Sequence, residues 1–255
     1  MHDLTVTLVQ PNQLWEDVSG NLENYDRLLS KVDATDLILL PELFQTSFTM
    51  NTALAENMSG PSIQWLLDCS KKKQAAIYTS LMVEEGGKYY NRGVFIQPDG
   101  LITYYDKRKT FGLAKEDDYF TAGVSEQIVS YKGWHFQLQI CYDLRFPEMA
   151  RNRVERSGNV AYDVLLYVAN WPEKRSVHWK SLLQARAIEN QTYVIGVNRV
   201  GIDGHNFSYS GDSRVIDPLG KTFEIQSSAE TVQTTVINKT KLRQIREMLP
   251  FLKDR

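Results

Sequence analysis

The sequence predicts an α/β fold in which two sheets pack face to face between outer helices, an α-β-β-α sandwich. Strand-like and helix-like segments alternate along the whole chain, as in layered α/β domains. The strand-like runs DLILL and DVLLYV are almost continuously apolar, which is typical of strands covered on both faces. The hairpin sequence FIQPDGL is followed later by the similar VIDPLGK, which indicates a duplicated layout. A doubly wound single sheet shows the same alternation and is the competing architecture.

The first half of the chain opens as strand, helix, strand. Apolar periodicity predicts strands over 4–10, 36–42 and 75–83, helices over 21–32 and 61–73, and a hairpin over 92–107. The second helix begins with Pro61, a residue favoured in the first helical turn. The hairpin turns at PDG, where proline and glycine supply the turn geometry.

The second half repeats this plan. The patterns predict strands over 134–140, 163–170 and 192–200, helices over 146–158 and 176–191, a hairpin over 213–226, and a last helix from 240 that stops near Pro250. No Gly/Ser-rich linker or low-complexity segment interrupts the chain. We therefore expect a single domain over residues 1–255.

Composition and charge narrow the class of function. The chain has 255 residues and a net charge of −2, so it has no overall positive field to hold nucleic acid or an anionic membrane. A small-molecule substrate suits these values better. The N-terminus lacks a secretory signal pattern and no window approaches about 18 apolar residues, so we expect a cytoplasmic protein. The four histidines show no metal-ligand spacing and no glycine-rich nucleotide motif occurs, so no metal or cofactor is expected.

Three residues with reactive side chains end predicted strands, where catalytic groups gather in α/β folds. They are Glu42 after DLILLP, Lys107 after LITYYD, and Cys141 after WHFQLQI. Each one alone has an ordinary structural explanation: a hydrogen-bonded acid, a solvated surface lysine, and a small buried thiol. The other cysteine, Cys69, lies in a helical pattern and is interpreted as packing.

Taken together, the three contexts resemble a known family. LLPELF, YYDKRKTF and QICYDLRFPE are similar, in this order, to the three motifs of the nitrilase, or carbon–nitrogen hydrolase, superfamily. The resemblance covers nearly the whole chain, and CYDLRFPE with YVANWP resembles the branch that contains the ω-amidases. It implies the α-β-β-α sandwich, hydrolysis of the terminal amide of an α-keto dicarboxylate monoamide such as α-ketoglutaramate (2-oxoglutaramate), release of ammonia, and assembly as a homodimer or higher homo-oligomer.

The resemblance also implies roles for these residues. Cys141 would be the nucleophile that forms a thioester, which splits a difficult amide hydrolysis into two easier steps. Glu42 would take the thiol proton and give it to the leaving nitrogen. Lys107 and the backbone N–H of Tyr142 would stabilise the oxyanion.

Three further positions are candidates. The family places a second glutamate after the lysine motif, and Glu116 in FGLAKEDDYF is the candidate, with Asp117 and Asp118 as alternatives. Arg145 would either form an ordinary salt bridge or bind the carboxylate of the substrate. Trp171 would line the pocket or simply pack in the core.

Rival hypotheses remain open at this stage. An N-carbamoyl amino acid hydrolase, or another amidase of the superfamily, would share the same three motifs. A thiol protease or thioesterase would pair Cys141 with His178 or His205, although neither flanking sequence supports it. A catalytically silent binding protein would need no reactive thiol at position 141.

Overall fold

The computed structural model describes residues 2–156 and 158–255. The strands are β1 Leu4–Gln10, β2 Leu37–Leu39, β3 Ala76–Glu85, β4 Lys88–Ile96, β5 Ile102–Asp106, β6 Ile128–Tyr131, β7 Trp134–Ile140, β8 Val164–Val168, β9 Tyr193–Val197, β10 Val200–Ile202, β11 Ser208–Ser210, β12 Arg214–Ile216, β13 Thr222–Glu224 and β14 Thr231–Ile237. The α-helices are α1 Val18–Leu29, α2 Pro61–Lys73, α3 Ser176–Asn190 and α4 Lys239–Met248.

These strands form two six-stranded sheets and one small hairpin. The first sheet has the order β14-β1-β2-β3-β4-β5, the second β13-β12-β9-β8-β7-β6, and β10 pairs with β11. In each large sheet the central strands are parallel, β1-β2-β3 and β7-β8-β9, and the outer strands are antiparallel. The two-sheet sandwich and its duplicated layout are therefore confirmed, and the doubly wound single sheet is wrong.

Alternating side chains of the first sheet bury two separate cores. Leu37 and Leu39 of β2 share one apolar cluster with residues of the second sheet, such as Leu166. Ile38, between them, joins a second cluster with residues of α1 and α2, such as Tyr25. Because successive strand side chains point to opposite faces, β2 is apolar throughout and is covered on both sides. No helix of the described residues is both long and apolar enough to cross a membrane.

The predicted helix over 146–158 is wrong. The structure has short 3₁₀ turns at Cys141–Arg145 and Pro147–Ala150 and then an extended segment, while Ser157 lies outside the described residues. The buried Asn152 explains the difference, because its side chain donates to the carbonyl oxygens of Tyr162 and Asn190 at 3.0 and 3.2 Å. These tertiary hydrogen bonds hold the chain extended and override its local helical preference.

The other predicted elements are present with small shifts at their ends. The helix predicted over 21–32 starts earlier, because the Asp17 carboxylate accepts a 2.9 Å hydrogen bond from the Gly20 N–H and caps the first turn. The strand predicted over 36–42 ends at Leu39. Leu40 and Pro41 then lead out of the sheet to Glu42.

Candidate active site

The three strand-end residues converge between the two large sheets. Glu42 follows β2, Lys107 follows β5 directly, and Cys141 follows β7 directly. All three are buried, with exposed fractions of 0%, 1% and 9%. A carboxylate, an ammonium group and a thiol thus share one water-poor site, where their electrostatic interactions are stronger than at the surface.

Lys107 lies between two carboxylates. Its Nζ donates to Glu42 Oε1 at 2.8 Å and to both carboxylate oxygens of Glu116 at 2.9 Å. Burial alone would lower the pKa of Lys107, but the negative charges of Glu116 and Glu42 outweigh it and raise that pKa well above its usual value. Lys107 therefore stays a cation at neutral pH.

Glu116 is the buried member of its acidic run. It contacts Lys107, whereas Asp117 and Asp118 are exposed, so the geometry favours Glu116 among the three. Its Oε2 accepts a 2.6 Å hydrogen bond from the Phe111 N–H. The Asn91 side-chain amide, which the sequence analysis did not single out, donates to both Glu42 at 2.8 Å and Glu116 at 3.1 Å. Asn91 therefore connects the two carboxylates that flank Lys107.

Cys141 occupies a strained turn at the end of β7. Its φ of 43° lies in the left-handed region, which costs a residue other than glycine about 1–2 kcal/mol. The turn aims the side chain into a cavity, and Sγ lies 3.9 Å from the Asn170 carbonyl oxygen. Burial and the hydrogen-bonding Glu42 carboxylate raise the pKa of the Cys141 thiol, although Lys107 opposes them. The resting thiol is therefore protonated at neutral pH, and formation of the thiolate would need a base.

Asn170 joins the two halves of the duplicated layout. It ends the β8 segment as Glu42 ends the β2 segment, the two strand ends that are similar in sequence. The Asn170 backbone N–H donates to Glu42 Oε2 at 2.9 Å, and the Asn170 side-chain amide donates to the Glu42 carbonyl oxygen. The Glu42 carboxylate is thus held from both sheets, beside the thiol.

A cavity of about 250 Å³ opens above the thiol. Its floor contains Lys107 and Cys141, and its walls combine aromatic, apolar and cationic side chains. The remaining lining residues are Phe48, Met50, Phe111, Leu113, Ala114, Tyr142, Arg145, Asn170, Trp171, Pro172, Lys174, Arg175, Asp203, His205, Phe207 and Tyr209. The predicted site residues Tyr142, Arg145 and Trp171 therefore all line the same cavity as Cys141.

Two arginines form one wall of this cavity. The Arg145 guanidinium stacks on the Trp171 ring at 4.7 Å, and its Nη2 lies 3.3 Å from His178 Nδ1. Arg175 lies over the Phe111 ring at 5.4 Å and was not predicted from the sequence. Burial lowers the pKa of Arg175, Cys141 opposes that effect and Arg145 adds to it. Within the described residues neither arginine has a carboxylate partner at ion-pair distance, so this wall can receive an anion.

The β10–β11 hairpin also lines the cavity, next to the turn that carries Arg175, where Lys174 Nζ lies 4.3 Å from the centre of the Phe207 ring. Asp203 accepts hydrogen bonds from the Tyr209 hydroxyl at 2.8 Å and from the backbone N–H groups of His205 and Phe207 at 2.9 Å. The His205 ring packs edge-on against Trp15 at 5.0 Å. Because the partner of His178 is Arg145 and that of His205 is Trp15, the geometry favours Glu42 as the base over a cysteine–histidine pair.

Comparison with known proteins decides the family. The sequence profile described as carbon-nitrogen hydrolase matches residues 5–247. The chain belongs to the carbon–nitrogen hydrolase family. It is therefore a carbon–nitrogen hydrolase of the nitrilase superfamily, and the resemblance noted in the sequence is confirmed. The match includes every strand end described above, so the cavity lies inside the matched region.

Several similar proteins have names that state an activity or a family. The omega-amidase YafV of Yersinia enterocolitica is 41% identical over 100% of this chain and 97% of the relative. The 2-oxoglutaramate amidase of Bacillus subtilis strain 168 is 31% identical over 98% of this chain and 96% of that protein. Among solved structures, XC1258 from Xanthomonas campestris, a CN-hydrolase superfamily protein with an arsenic adduct in its active site, has a TM-score of 0.97 and 43% identity, covering 100% of this chain and 98% of that one.

Proposed function

We propose that this carbon–nitrogen hydrolase is an ω-amidase that hydrolyses the terminal amide of 2-oxoglutaramate and releases ammonia. One observation carries the proposal: Lys107 and Cys141, buried beside the Glu42 carboxylate, line a cavity whose wall holds two arginines without carboxylate partners among the described residues. The names of the YafV and Bacillus subtilis relatives support the same substrate class. A small amide that carries a carboxylate satisfies both parts of the site.

In the first half-reaction Cys141 is acylated. Glu42 removes the Sγ proton while sulfur attacks the amide carbon, and a C–S bond forms. The tetrahedral intermediate collapses when Glu42 passes that proton to the nitrogen, the C–N bond breaks and ammonia leaves. The product is a thioester on Cys141, and Glu42 is again a carboxylate.

Negative charge on the former carbonyl oxygen needs a cationic or N–H partner. Lys107 remains a cation beside the thiol because two carboxylates stabilise it. The strained turn at Cys141 directs the chain so that Tyr142 lies at the cavity wall, and we assign its backbone N–H as the second donor. Removing one such donor typically raises a barrier by about 2.7–4 kcal/mol.

In the second half-reaction water releases the acid. Glu42 takes a proton from a water molecule as its oxygen adds to the thioester carbon. The C–S bond then breaks, and the proton returns from Glu42 to sulfur. Glu116 and Asn91 do not need to touch the substrate in this scheme, since they hold Lys107 and Glu42 in place.

The arginine wall accounts for the choice of substrate. Arg145 and Arg175 lie on the same side of the cavity as Trp171, and Lys174 adds a third cation, against the single carboxylate of Asp203. The Asp203 carboxylate already accepts three hydrogen bonds from its own hairpin. The cavity therefore favours an anionic substrate, with the carboxylate at the arginines and the amide over Cys141.

Ammonia release from 2-oxoglutaramate tests this function, with glutamine, an N-carbamoyl amino acid and a simple nitrile measured in parallel. We expect turnover of the keto-amide that is lost in Cys141→Ala and retained in the matched control Cys69→Ala. Turnover of the N-carbamoyl compound instead would support the proposed roles of Glu42, Lys107 and Cys141 but reject 2-oxoglutaramate as the substrate. No ammonia from any of the four would reject the amidase proposal.

Two expectations from the sequence remain predictions. Assembly as a homodimer or higher oligomer would be measured by light scattering of the purified protein. A cytoplasmic location would be measured by cell fractionation.

A further inference from the structure

Asp143 lies two residues after the proposed nucleophile, and it does not line the cavity. It belongs to the 3₁₀ turn Cys141–Arg145, and its side chain is fully buried. Burial of a carboxylate without a full set of hydrogen-bond donors is unfavourable, so its partners indicate what it does.

The Asp143 carboxylate accepts three hydrogen bonds, and they come from both sheets. Its Oδ2 accepts from the Ile140 backbone N–H at 2.9 Å and from the Tyr105 hydroxyl at 2.8 Å. Its Oδ1 accepts from the Lys109 backbone N–H at 3.0 Å. Ile140 directly precedes Cys141 on β7, whereas Tyr105 and Lys109 stand two residues before and two residues after Lys107.

This pattern links two reactive groups that otherwise belong to different sheets. Cys141 ends β7 of the second sheet, and Lys107 follows β5 of the first. A single carboxylate fixes the backbone on both sides of this gap. It also holds the residue before the left-handed Cys141, whose φ of 43° needs support from its surroundings.

We propose that Asp143 is a positioning residue that sets the place of Cys141 Sγ relative to Lys107 Nζ. The inference rests on the proposed roles of Cys141 and Lys107. Asp143 itself does not touch the substrate. Without its carboxylate the thiol and the ammonium group remain present, but one of the links that set the distance between them is lost.

The ionised form of Asp143 is the one that suits three donors, because a protonated carboxyl turns one oxygen into a donor. Burial raises the pKa of Asp143 to about 6, although the Ile140 N–H, Tyr105 and Lys107 lower it. The other titratable groups that it faces are the buried hydroxyls of Tyr78 and Tyr167. The positioning should therefore weaken as pH falls through about 6.

The test compares Asp143→Asn with Asp217→Asn. Asp217 is a matched control, since it is also buried and accepts backbone N–H bonds, from Leu219 and Lys221, in the β12–β13 turn away from the cavity. We expect Asp143→Asn to lower kcat for ammonia release by at least about tenfold, as misplacement of reacting groups does. KM should stay within about twofold, because the arginine wall is intact. Asp217→Asn should change neither value.

Alkylation of Cys141 by iodoacetamide gives a readout that does not depend on the substrate. We expect slower alkylation in Asp143→Asn. The alkylation rate of both proteins falls with pH as the Cys141 thiolate is lost, and the wild type should show a further fall below about pH 6 that Asp143→Asn lacks. Normal kcat, normal alkylation and an unchanged pH profile in Asp143→Asn would overturn the proposal. If Asp143→Asn does not fold, Tyr105→Phe, which removes one of the hydrogen bonds to Asp143, is the test. Unchanged kcat and an unchanged alkylation rate in Tyr105→Phe would also overturn the proposal. A wild type that alkylates normally but hydrolyses no amide would reject the proposed function and leave the alkylation comparison as the test of Asp143.

Discussion

Replacing Glu116 with glutamine measures what its negative charge contributes to the site. The carboxylate accepts two 2.9 Å bonds from Lys107, one of 2.6 Å from the Phe111 N–H and one of 3.1 Å from Asn91. Glutamine keeps the size of the side chain but has one acceptor oxygen, so at least one of these buried donors would face an NH2 group.

A hydrogen bond to a charged group contributes about 1.5–3 kcal/mol. Loss of one such bond would leave Lys107 less firmly held and reduce stabilisation of the transition state by the same energy. At about 1.4 kcal/mol per factor of ten, kcat would fall by roughly tenfold to 150-fold. KM should change little, since Glu116 does not line the cavity.

The assay is ammonia release from 2-oxoglutaramate, with circular dichroism to establish that the variant is folded. Glu126→Gln is the matched control, because Glu126 is exposed and forms a surface ion pair with Arg153. A folded Glu116→Gln enzyme with kcat within about twofold of wild type would refute this reasoning.

Three other predictions concern the cavity wall, the two thiols and a helix cap. Arg175→Gln should raise KM for an anionic amide by tenfold or more, because a hydrogen bond to a charged group contributes about 1.5–3 kcal/mol. KM for a neutral amide should change less in the same assay, and equal changes for both would contradict a role of the arginine wall in binding an anion. Although burial raises the pKa of both thiols, Cys141 should be alkylated faster than Cys69 at pH 7, because Cys141 lines the cavity and the neighbouring Glu42 carboxylate can take its proton. Asp17→Ala should lower the free energy of unfolding by about 0.5–2 kcal/mol through loss of the bond to Gly20, with kcat unchanged, as measured by urea denaturation.

Much of the site could be predicted because its reactive residues end strands. Glu42, Lys107 and Cys141 each follow a predicted strand. Asn170 follows a fourth one, and its strand end, which is similar in sequence to that of Glu42, meets Glu42 in the structure. Glu116 is the candidate by family resemblance, but the sequence alone leaves Asp117 and Asp118 open as alternatives. The choice among them depends on which side chain of the turn faces Lys107, and that is set by tertiary packing.

Arg175 and Asn91 were not predicted as site residues, because no motif or pattern in the sequence around them indicates such a role. Arg175 follows ordinary charged residues in PEKR, and only the short 3₁₀ turn Glu173–Arg175 before α3 brings it to the cavity. Asn91 lies inside the long strand β4, where a polar side chain is normally solvent-facing. The wrong helix over 146–158 has the same origin, since the hydrogen bonds of Asn152 to distant residues decide the backbone there.

The hydrogen bond from Asn170 to Glu42 connects residues 128 positions apart in the chain. During folding, contacts of such high sequence separation form at a large entropic cost and therefore late. A chain with only its first sheet formed carries the carboxylate without the thiol, and a chain with only its second sheet formed carries the thiol without the carboxylate. In the proposed mechanism, amide hydrolysis begins only when the two sheets have docked. Recovery of activity during refolding would then report the docking of the sheets, and incompletely folded molecules would lack the base beside the thiol.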